Sequence, residues 1–389
     1  MLGLLGGAVG CGVAEQAPAG DVASEAVVGN IHVRIGDVEG PAEYTFGDIT
    51  SVTADAAGRI YVADRIGSSI RVFDTEGRFL TWLGREGEGP GEYQWPNDLT
   101  FDPLGRLWIR DANRITVLAP GHDSEVPDSV VTTYRLPGYG NLDSRRARAD
   151  GQVYYSPAYL FTRGEPERYF YLPFDTAGFR GDTIPVPAMP TLGGTRSAYY
   201  MLTAGSGRMV DGLNRAPFEP SGSWDVTADG HVLSTTGLEY RVVETDRRGD
   251  TARVWSGRDG RRLVPPAERA DSMAALQQRL DSLPVPIARV QGVSDWIRRG
   301  ALPDSLPATT ALHATGDGKI WVGRWPQAGA GERTVFDVFS HVGEFERTVV
   351  IPASLLTAPP PYLSDRIILG IIKDRVTDVQ SVLVVTLER

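Results

Sequence analysis

The chain has 389 residues, 41% of them hydrophobic, which is enough for one large domain or for two or three ordinary ones. A formal net charge of −10 argues against nucleic acid as a partner, because surfaces that bind phosphate backbones are basic. The single cysteine excludes an intramolecular disulfide.

The N-terminal segment resembles the end of a bacterial lipoprotein signal. Met1–Gly10 is small and apolar, and Ala8-Val-Gly-Cys11 looks like a lipobox, where the chain is cut before a cysteine that then carries lipid. The stretch is shorter than the roughly 20 residues that span a bilayer. The alternative is a flexible, glycine-rich N-terminus in which Cys11 has no function. We predict lipidation of Cys11, a signal and flexible tether over residues 1–29, and a location in the periplasm or on the cell surface.

From residue 30 onward, alternation of apolar and polar residues predicts strands. One phrase, a turn followed by an apolar strand, recurs along the chain: Asp55-Ala-Ala-Gly-Arg-Ile-Tyr-Val62 returns as Asp102-Pro-Leu-Gly-Arg-Leu-Trp-Ile109 and more loosely as Gly316-Asp-Gly-Lys-Ile-Trp-Val322. The turn glycines Gly58 and Gly105 are 47 residues apart. This period is typical of propeller blades, which stack because one unit cannot bury its own apolar face.

The repeats predict six units of four strands, over residues 48–83, 97–136, 145–186, 223–255, 309–350 and from about 362 to the C-terminus. The last unit lacks one strand, and Ile31–Ile35 can supply it from the other end of the chain. Such a closure removes the open edge that would otherwise aggregate. We therefore predict an all-β fold, a six-bladed β-propeller over residues 30–389.

An insertion at about residues 263–308 interrupts the β pattern between blades four and five. Pro266–Leu280 is predicted to be a helix, with a proline and acidic residues near its start. Its apolar residues fall on one face: Met273, Leu276 and Leu280. A second short helix is predicted around Val293–Arg298. The insertion can act as a lid over the channel mouth or as a passive flap packed on the side of the blades.

Three segments carry a family resemblance: the phrase Asp102–Ile109, the run Trp82-Leu-Gly-Arg-Glu-Gly-Glu-Gly-Pro-Gly-Glu-Tyr93, and Leu306-Pro-Ala followed by Asp317–Val322. In them the chain resembles the bacterial six-bladed β-propeller lipoproteins related to NHL-repeat proteins, over roughly residues 31–389. The resemblance implies a propeller fold. Some NHL-like propellers are lyases that hold a metal with channel histidines, so it also implies a channel-centred enzyme as one alternative.

The segment Gly87–Tyr93 joins blades one and two. Connections of this kind share one face of a propeller with the loops between second and third strands, and such loops commonly carry function. The residues predicted to form a ligand-binding face there are Asp64, Arg65, Tyr93, Trp95, Asn97, Asp98, Asp111, Asn113, Arg324 and Trp325. The alternative is structural: Glu92 caps backbone amides, Tyr93 is wedged between blades, and Asp64 and Asp111 satisfy turn amides.

The sequence has no Gly-x-Ser-x-Gly nucleophile elbow, no P-loop and no two histidines at metal-ligand spacing. His313, in a predicted inner strand, is a weak candidate for a metal ligand, and no cofactor is indicated. We expect a monomeric, non-enzymatic binding or scaffold lipoprotein, anchored through Cys11, whose ligand is an envelope protein, a peptide or a glycan. A lyase or hydrolase acting in the channel is the alternative.

Overall fold

The structure is a computed structural model that describes residues 26–121, 126–136, 140–141, 147–150, 153–160, 168–188, 198–201, 209–213, 217–257, 262–281, 302–325, 332–374 and 377–388. Within these residues six successive sheets form the blades of a six-bladed β-propeller, which confirms the predicted fold. In each blade the strands are counted from the inner first strand to the outer fourth strand.

Blades one and two follow the predicted units closely. The strands of blade one are Ile49–Ala54, Ile60–Asp64, Ser69–Phe73 and Phe79–Leu83. The strands of blade two are Pro96–Phe101, Leu107–Asp111, Arg114–Leu118 and Val130–Arg135. In the crossing between these blades, Arg85–Glu86 pairs in parallel with Glu92–Tyr93.

Blade three is the least regular blade. Its strands are Arg148–Asp150, Val153–Leu160 and Arg168–Asp175, with the short strands Gly178–Phe179 and Ile184–Pro185 on its outer side and Gly140–Asn141 beside the second strand. A hairpin of Ala198–Met201 and Met209–Leu213 follows it. Blade four returns to the four-stranded pattern with Ser223–Val226, Val232–Thr235, Arg241–Thr245 and Thr251–Ser256.

Blades five and six both use strands from the N-terminal part of the chain. Blade five contains Ala311–Ala314, Ile320–Arg324, Thr334–Phe339 and Phe345–Ile351, and Val27–Val28 adds a parallel strand at its outer edge. Blade six contains Tyr362–Leu363, Ile367–Lys373 and Gln380–Thr386, and Asn30–Ile35 is its outer strand. The predicted closure by Ile31–Ile35 is confirmed. Val27–Val28 belongs to a sheet although it lies inside the predicted tether, because two valines can pair with an edge strand that is otherwise open.

The hydrophobic core is divided into clusters that each join two neighbouring blades. Ile35 and Val382 of blade six pack in one cluster with Ile49 and Val52 of blade one. Further clusters join blades one and two, two and three, three and four, four and five, and five and six. The ring is therefore closed by apolar packing as well as by strand pairing.

Side-chain hydrogen bonds connect the first strands of neighbouring blades around the channel. In each case a serine or aspartate on one first strand accepts a bond from a backbone N–H of the next blade. The pairs are Leu99 N to Ser51 Oγ at 3.1 Å, Ala147 N to Asp98 Oδ2 at 3.1 Å, Leu312 N to Ser223 Oγ at 3.0 Å, and Ala314 N to Asp225 Oδ2 at 2.9 Å. These bonds satisfy inner-edge backbone groups that have no strand partner.

The insertion between blades four and five contains the helix Pro266–Asp281, which confirms the predicted helix. It lies against the loop after the second strand of blade five, where Trp325 Nε1 donates to Glu268 Oε1 at 3.1 Å. Arg262 Nη2 donates to the Trp325 carbonyl oxygen at 2.7 Å. The second predicted helix, around 293–298, lies outside the described residues. No helix in the described part of the chain is long and apolar enough to cross a membrane.

The repeated turn is held by its aspartate. The Asp55 carboxylate accepts bonds from the backbone N–H groups of Ala57 at 3.0 Å and Arg59 at 2.9 Å. Gly58, between them, has a φ of +83°, a conformation that side chains with a Cβ rarely adopt. Asp102 and Gly105 repeat this arrangement in blade two.

We expect Gly58→Val to lower the free energy of unfolding by about 1–2 kcal/mol, because a β-branched side chain is strained at this positive φ. The added Cβ would also lie 2.9 Å from Thr75 Cγ2. Thermal unfolding measures the effect, and Ala57→Val in the same exposed turn is the control. Equal melting temperatures for the two variants would contradict the turn assignment.

Candidate functional site

The propeller has two ends with different connections. The loop face carries the crossings between blades and the loops between second and third strands, such as residues 65–68, 84–95 and 112–113. The turn face carries the turns between first and second strands and between third and fourth strands, such as residues 55–59, 74–78 and 102–106. The predicted site residues belong to the loop face, where the structure divides them into buried and exposed groups.

Asp64 is buried, with 1% of its surface exposed, and holds the crossing from blade six to blade one. Its carboxylate accepts bonds from Gly47 N at 2.9 Å, from Asp48 N at 3.0 Å and from Arg71 Nη1 at 2.9 Å. Burial acts to raise the pKa of Asp64, but the backbone N–H groups and the Arg71 guanidinium outweigh it and hold the pKa below its usual value.

The partner of Asp64 is itself enclosed by aromatic rings. The Arg71 guanidinium carbon lies 4.6 Å from the centre of the Phe46 ring and 4.8 Å from that of Trp82. Arg71 Nη2 also donates to the Thr45 carbonyl oxygen at 2.9 Å. Cation–π contacts of this kind are strongest when the cation is shielded from water. The ion pair therefore clamps the crossing onto blade one, and its carboxylate is not presented to a ligand.

Asp111 repeats the role of Asp64 one blade later. It is fully buried and accepts bonds from Gln94 N at 2.9 Å and Trp95 N at 2.6 Å. Arg114 Nη2 lies 3.0 Å from its second carboxylate oxygen. The acceptor and its two backbone donors are each displaced by 47 residues from those of Asp64, so the repeat reproduces the crossing as well as the strands.

Three further residues, in the crossing from blade one to blade two and at the start of the next strand, also have structural roles. Glu92 Oε2 accepts a bond from Gly89 N at 2.9 Å. Tyr93 is fully buried in the cluster between blades one and two, and burial raises the pKa of its hydroxyl far above the usual value. Asn97 accepts a bond from Arg110 Nε at 2.8 Å, and both side chains are buried.

The exposed part of the predicted face is small. Trp95 is 61% exposed, although its backbone N–H is held by Asp111. Asn113 is exposed, and Arg65 is partly exposed in an ion pair with Asp48 at 2.5 Å. Ile66 is 73% exposed on the blade-one loop that Asp64 caps, and only the structure identified it.

The two predicted residues of blade five, Arg324 and Trp325, are both engaged in contacts with other residues. Arg324 Nε lies 3.2 Å from Asp337 Oδ2. The Trp325 ring packs against Phe218 with centroids 5.5 Å apart, and its indole N–H is bound by the helix. Trp325 therefore anchors the insertion rather than lining an open surface.

A cavity of about 300 Å³ occupies the turn-face end of the channel, opposite to the predicted face. Side chains or backbone of all six blades line it, and its ionisable wall residues include Arg148, Asp225 and His313. His313 lies in the predicted inner strand, whereas Arg148 and Asp225 were not among the predicted site residues. A signal was present in the repeat, because one lining residue stands five positions before each turn glycine in four blades: Thr53, Thr100, Asp225 and His313.

The charged groups of the cavity wall bind backbone atoms. Asp225 Oδ1 accepts a bond from Val226 N at 2.8 Å, and Oδ2 accepts one from Ala314 N. Arg148 Nη2 reaches from blade three to the Thr315 carbonyl oxygen of blade five at 2.9 Å. Among the described residues, no three His, Cys, Asp or Glu side chains lie close enough to hold one metal ion. The metal-ligand role of His313 stays a prediction, and Cys11 lies outside the described residues.

Comparison with known proteins supports the fold. Residues 38–118, which contain blade one and three strands of blade two, match the DUF5128 family, described as a 6-bladed beta-propeller. None of the curated proteins matches this chain.

Solved structures similar to the chain include a candidate exported protein of Bacteroides fragilis (10% identity, 92% of this chain and 95% of that chain, TM-score 0.40). They also include a DUF4221 member from Bacteroides vulgatus (8% identity, 95% and 98%, TM-score 0.38) and virginiamycin B lyase from Staphylococcus aureus (14% identity, 88% and 95%, TM-score 0.36).

We expect Asp64→Asn to lower the free energy of unfolding by about 3–5 kcal/mol, because Arg71 then stays buried without its counter-charge. The folded-state pKa of Asp64 lies below the ordinary value of 3.8, so this stabilisation is complete above that value and is lost as the pH falls through the folded pKa. Denaturant unfolding of wild type and variant should differ most near neutral pH and progressively less in acid below 3.8.

The matched control is Asp48→Asn, which removes a carboxylate from the same crossing but from an ion pair that is partly exposed. We expect it to cost at most about 1 kcal/mol. Equal losses in the two variants, or a difference that does not depend on pH, would contradict the clamp.

Proposed function

We propose that this six-bladed β-propeller, whose residues 38–118 match the DUF5128 family, is a non-enzymatic binding scaffold of the bacterial cell envelope. In this proposal a lipid on Cys11 anchors it outside the cytoplasm, and the loop face binds an envelope protein, a peptide or a glycan. The exposed group on that face is defined by Arg65, Ile66, Trp95 and Asn113.

The observation that carries the proposal is the rigid display of two apolar side chains. Trp95 and Ile66 are 61% and 73% exposed, while the buried carboxylates of Asp111 and Asp64 bind the backbone N–H groups of the same two residues. Tryptophan is enriched among the residues that dominate binding energy at interfaces. A loop that is already ordered loses little conformational entropy on binding, which favours affinity.

The channel-centred enzyme is the weaker candidate. A carboxylate that acts as a general acid or base must face the substrate and be able to gain or lose a proton there. Asp225, the buried carboxylate of the cavity wall, instead uses both oxygens to accept backbone bonds from Val226 and Ala314. That arrangement supports a structural role in joining blades four and five and favours binding over proton transfer.

Binding through the loop face is tested by capture of partners from envelope extract with the purified protein. We expect Trp95→Ala to reduce specific capture at least about tenfold, which corresponds to a loss of about 1.4 kcal/mol. Leu104→Ala is the matched control. Leu104 is also an exposed apolar residue of blade two, 60% exposed, but it lies on the turn face, in the turn between the first and second strands.

Identical capture by wild type, Trp95→Ala and Leu104→Ala would refute the loop face as the binding surface. Both variants change exposed side chains, so we expect wild-type melting temperatures. A loss in the Leu104 variant alone would move the site to the turn face.

The lipid anchor is tested separately by Cys11→Ser in the full chain expressed in a bacterial host. We expect wild type in the membrane fraction, with the added mass of acyl groups, and the variant in the soluble fraction, because the chain has no other cysteine to carry lipid. Equal partition of the two proteins, with no lipid mass on wild type, would exclude the anchor while leaving the loop-face test unaffected.

A further inference from the structure

Strand pairing fixes the point at which the N-terminal segment joins the propeller. Val27–Val28 runs parallel to Phe345–Ile351, the outer strand of blade five. That outer strand leads from the turn at 340–344 on the turn face to the crossing at 352–361 on the loop face. Because the pairing is parallel, the chain before Val27 comes from the turn-face side of the propeller's outer edge.

Two exposed apolar side chains flank this point. Val28 is 63% exposed and Ile31 is 43% exposed. Ile31 lies opposite Val385, close to the turn-face end of the third strand of blade six. A single exposed apolar residue is ordinary on a protein surface, but these two stand together where the N-terminal segment leaves the sheets. We call Val28 and Ile31 the entry rim.

The length of chain between the entry rim and Cys11 limits how far the rim can lie from an anchoring bilayer. Residues 12–25 separate Cys11 from Ala26. A coil of this length has an end-to-end distance of about 20 Å. A folded domain of the size of this propeller is about 50 Å across. If Cys11 carries lipid, as proposed above, the entry rim is therefore the part of the propeller that is held nearest to the bilayer.

The formal charge of the propeller is distributed unevenly among its blades. Blades five and six, formed by residues 26–35 and 309–389, contain nine acidic and nine basic residues. Blades one and two, formed by residues 36–136, contain 17 acidic and nine basic residues, a net charge of −8 out of −10 for the whole chain. A bilayer that contains anionic lipids repels the acidic blades but not the neutral ones. Charge therefore favours the same side of the propeller as the tether does.

We propose that the entry rim docks on the lipid bilayer that holds the anchor. The side chains of Val28 and Ile31 would enter the boundary between headgroups and acyl chains, where exposed apolar groups are stabilised. This orientation rests on the proposed lipid at Cys11. It leaves the loop face, with Trp95 and Ile66, turned away from the bilayer and accessible to a partner.

Labelling of single introduced cysteines in the full, lipidated chain tests this orientation. Cys11 is the only native cysteine, and a sulfur that carries lipid does not react with a maleimide dye, so each variant takes up one dye. Ile31→Cys places the dye on the entry rim. Val131→Cys is the matched control, because Val131 is a 52% exposed apolar residue on the outer strand of blade two. Asn113→Cys reports on the loop face.

The labelled proteins are bound to vesicles of phosphatidylethanolamine and phosphatidylglycerol that contain a spin-labelled lipid, which quenches dyes at short range. We expect the dye at Ile31 to lose most of its fluorescence and the dyes at Val131 and Asn113 to keep theirs. Equal quenching at all three positions, or stronger quenching at Val131 or Asn113, would overturn the docking. If Ile31→Cys lowers the melting temperature, Val28→Cys takes its place.

Failure of the anchor gives a different result from failure of the docking. Without lipid on Cys11, wild type does not bind the vesicles and takes up dye at Cys11 itself, which overturns both the anchor and the docking. When the lipidated protein binds the vesicles but its dyes are quenched equally, only the docking of Val28 and Ile31 fails. Capture of a partner through Trp95 is measured separately and is unaffected by either result.

Discussion

The structure depends on the closure of a ring, because no blade can bury both faces of its sheet alone. Each apolar cluster joins two neighbours, so every blade is needed by the next one. The strand Asn30–Ile35 completes blade six with residues from the opposite end of the chain, and Ile35 then packs with Ile49 of blade one. Pairing and packing at this junction hold the N-terminal and C-terminal parts of the propeller together.

Ring closure also requires hydrogen-bond acceptors at the crossings between blades, and aspartates provide them. Where the chain crosses from one blade to the next, backbone N–H groups leave the sheets and still need acceptors. Asp64 and Asp111 supply them, and the buried Arg71 and the partly buried Arg114 balance their charge. A carboxylate at this position is therefore part of the crossing, and the side chains that the crossing holds outward are the ones available to a partner.

The two ends of the propeller differ in chemistry for the same geometric reason. At the loop face, the crossings hold Trp95 and Ile66 outward on ordered backbone, which suits a large partner with its own apolar surface. At the turn face, the first strands end around a cavity of about 300 Å³ that polar and apolar groups of all six blades line.

The sequence alone determined the number of blades, most strand positions, the closing strand and the helix Pro266–Asp281. These features depend on local alternation and on turn glycines such as Gly58, and both repeat visibly along the chain. Tertiary structure alone decided which polar residues are buried. Asp98 and Trp95 are close in sequence, yet the first is buried against Ala147 of blade three and the second faces solvent. Arg148 of blade three is likewise buried beside Thr315 of blade five, whose carbonyl oxygen it binds, because burial depends on neighbours that are distant in sequence.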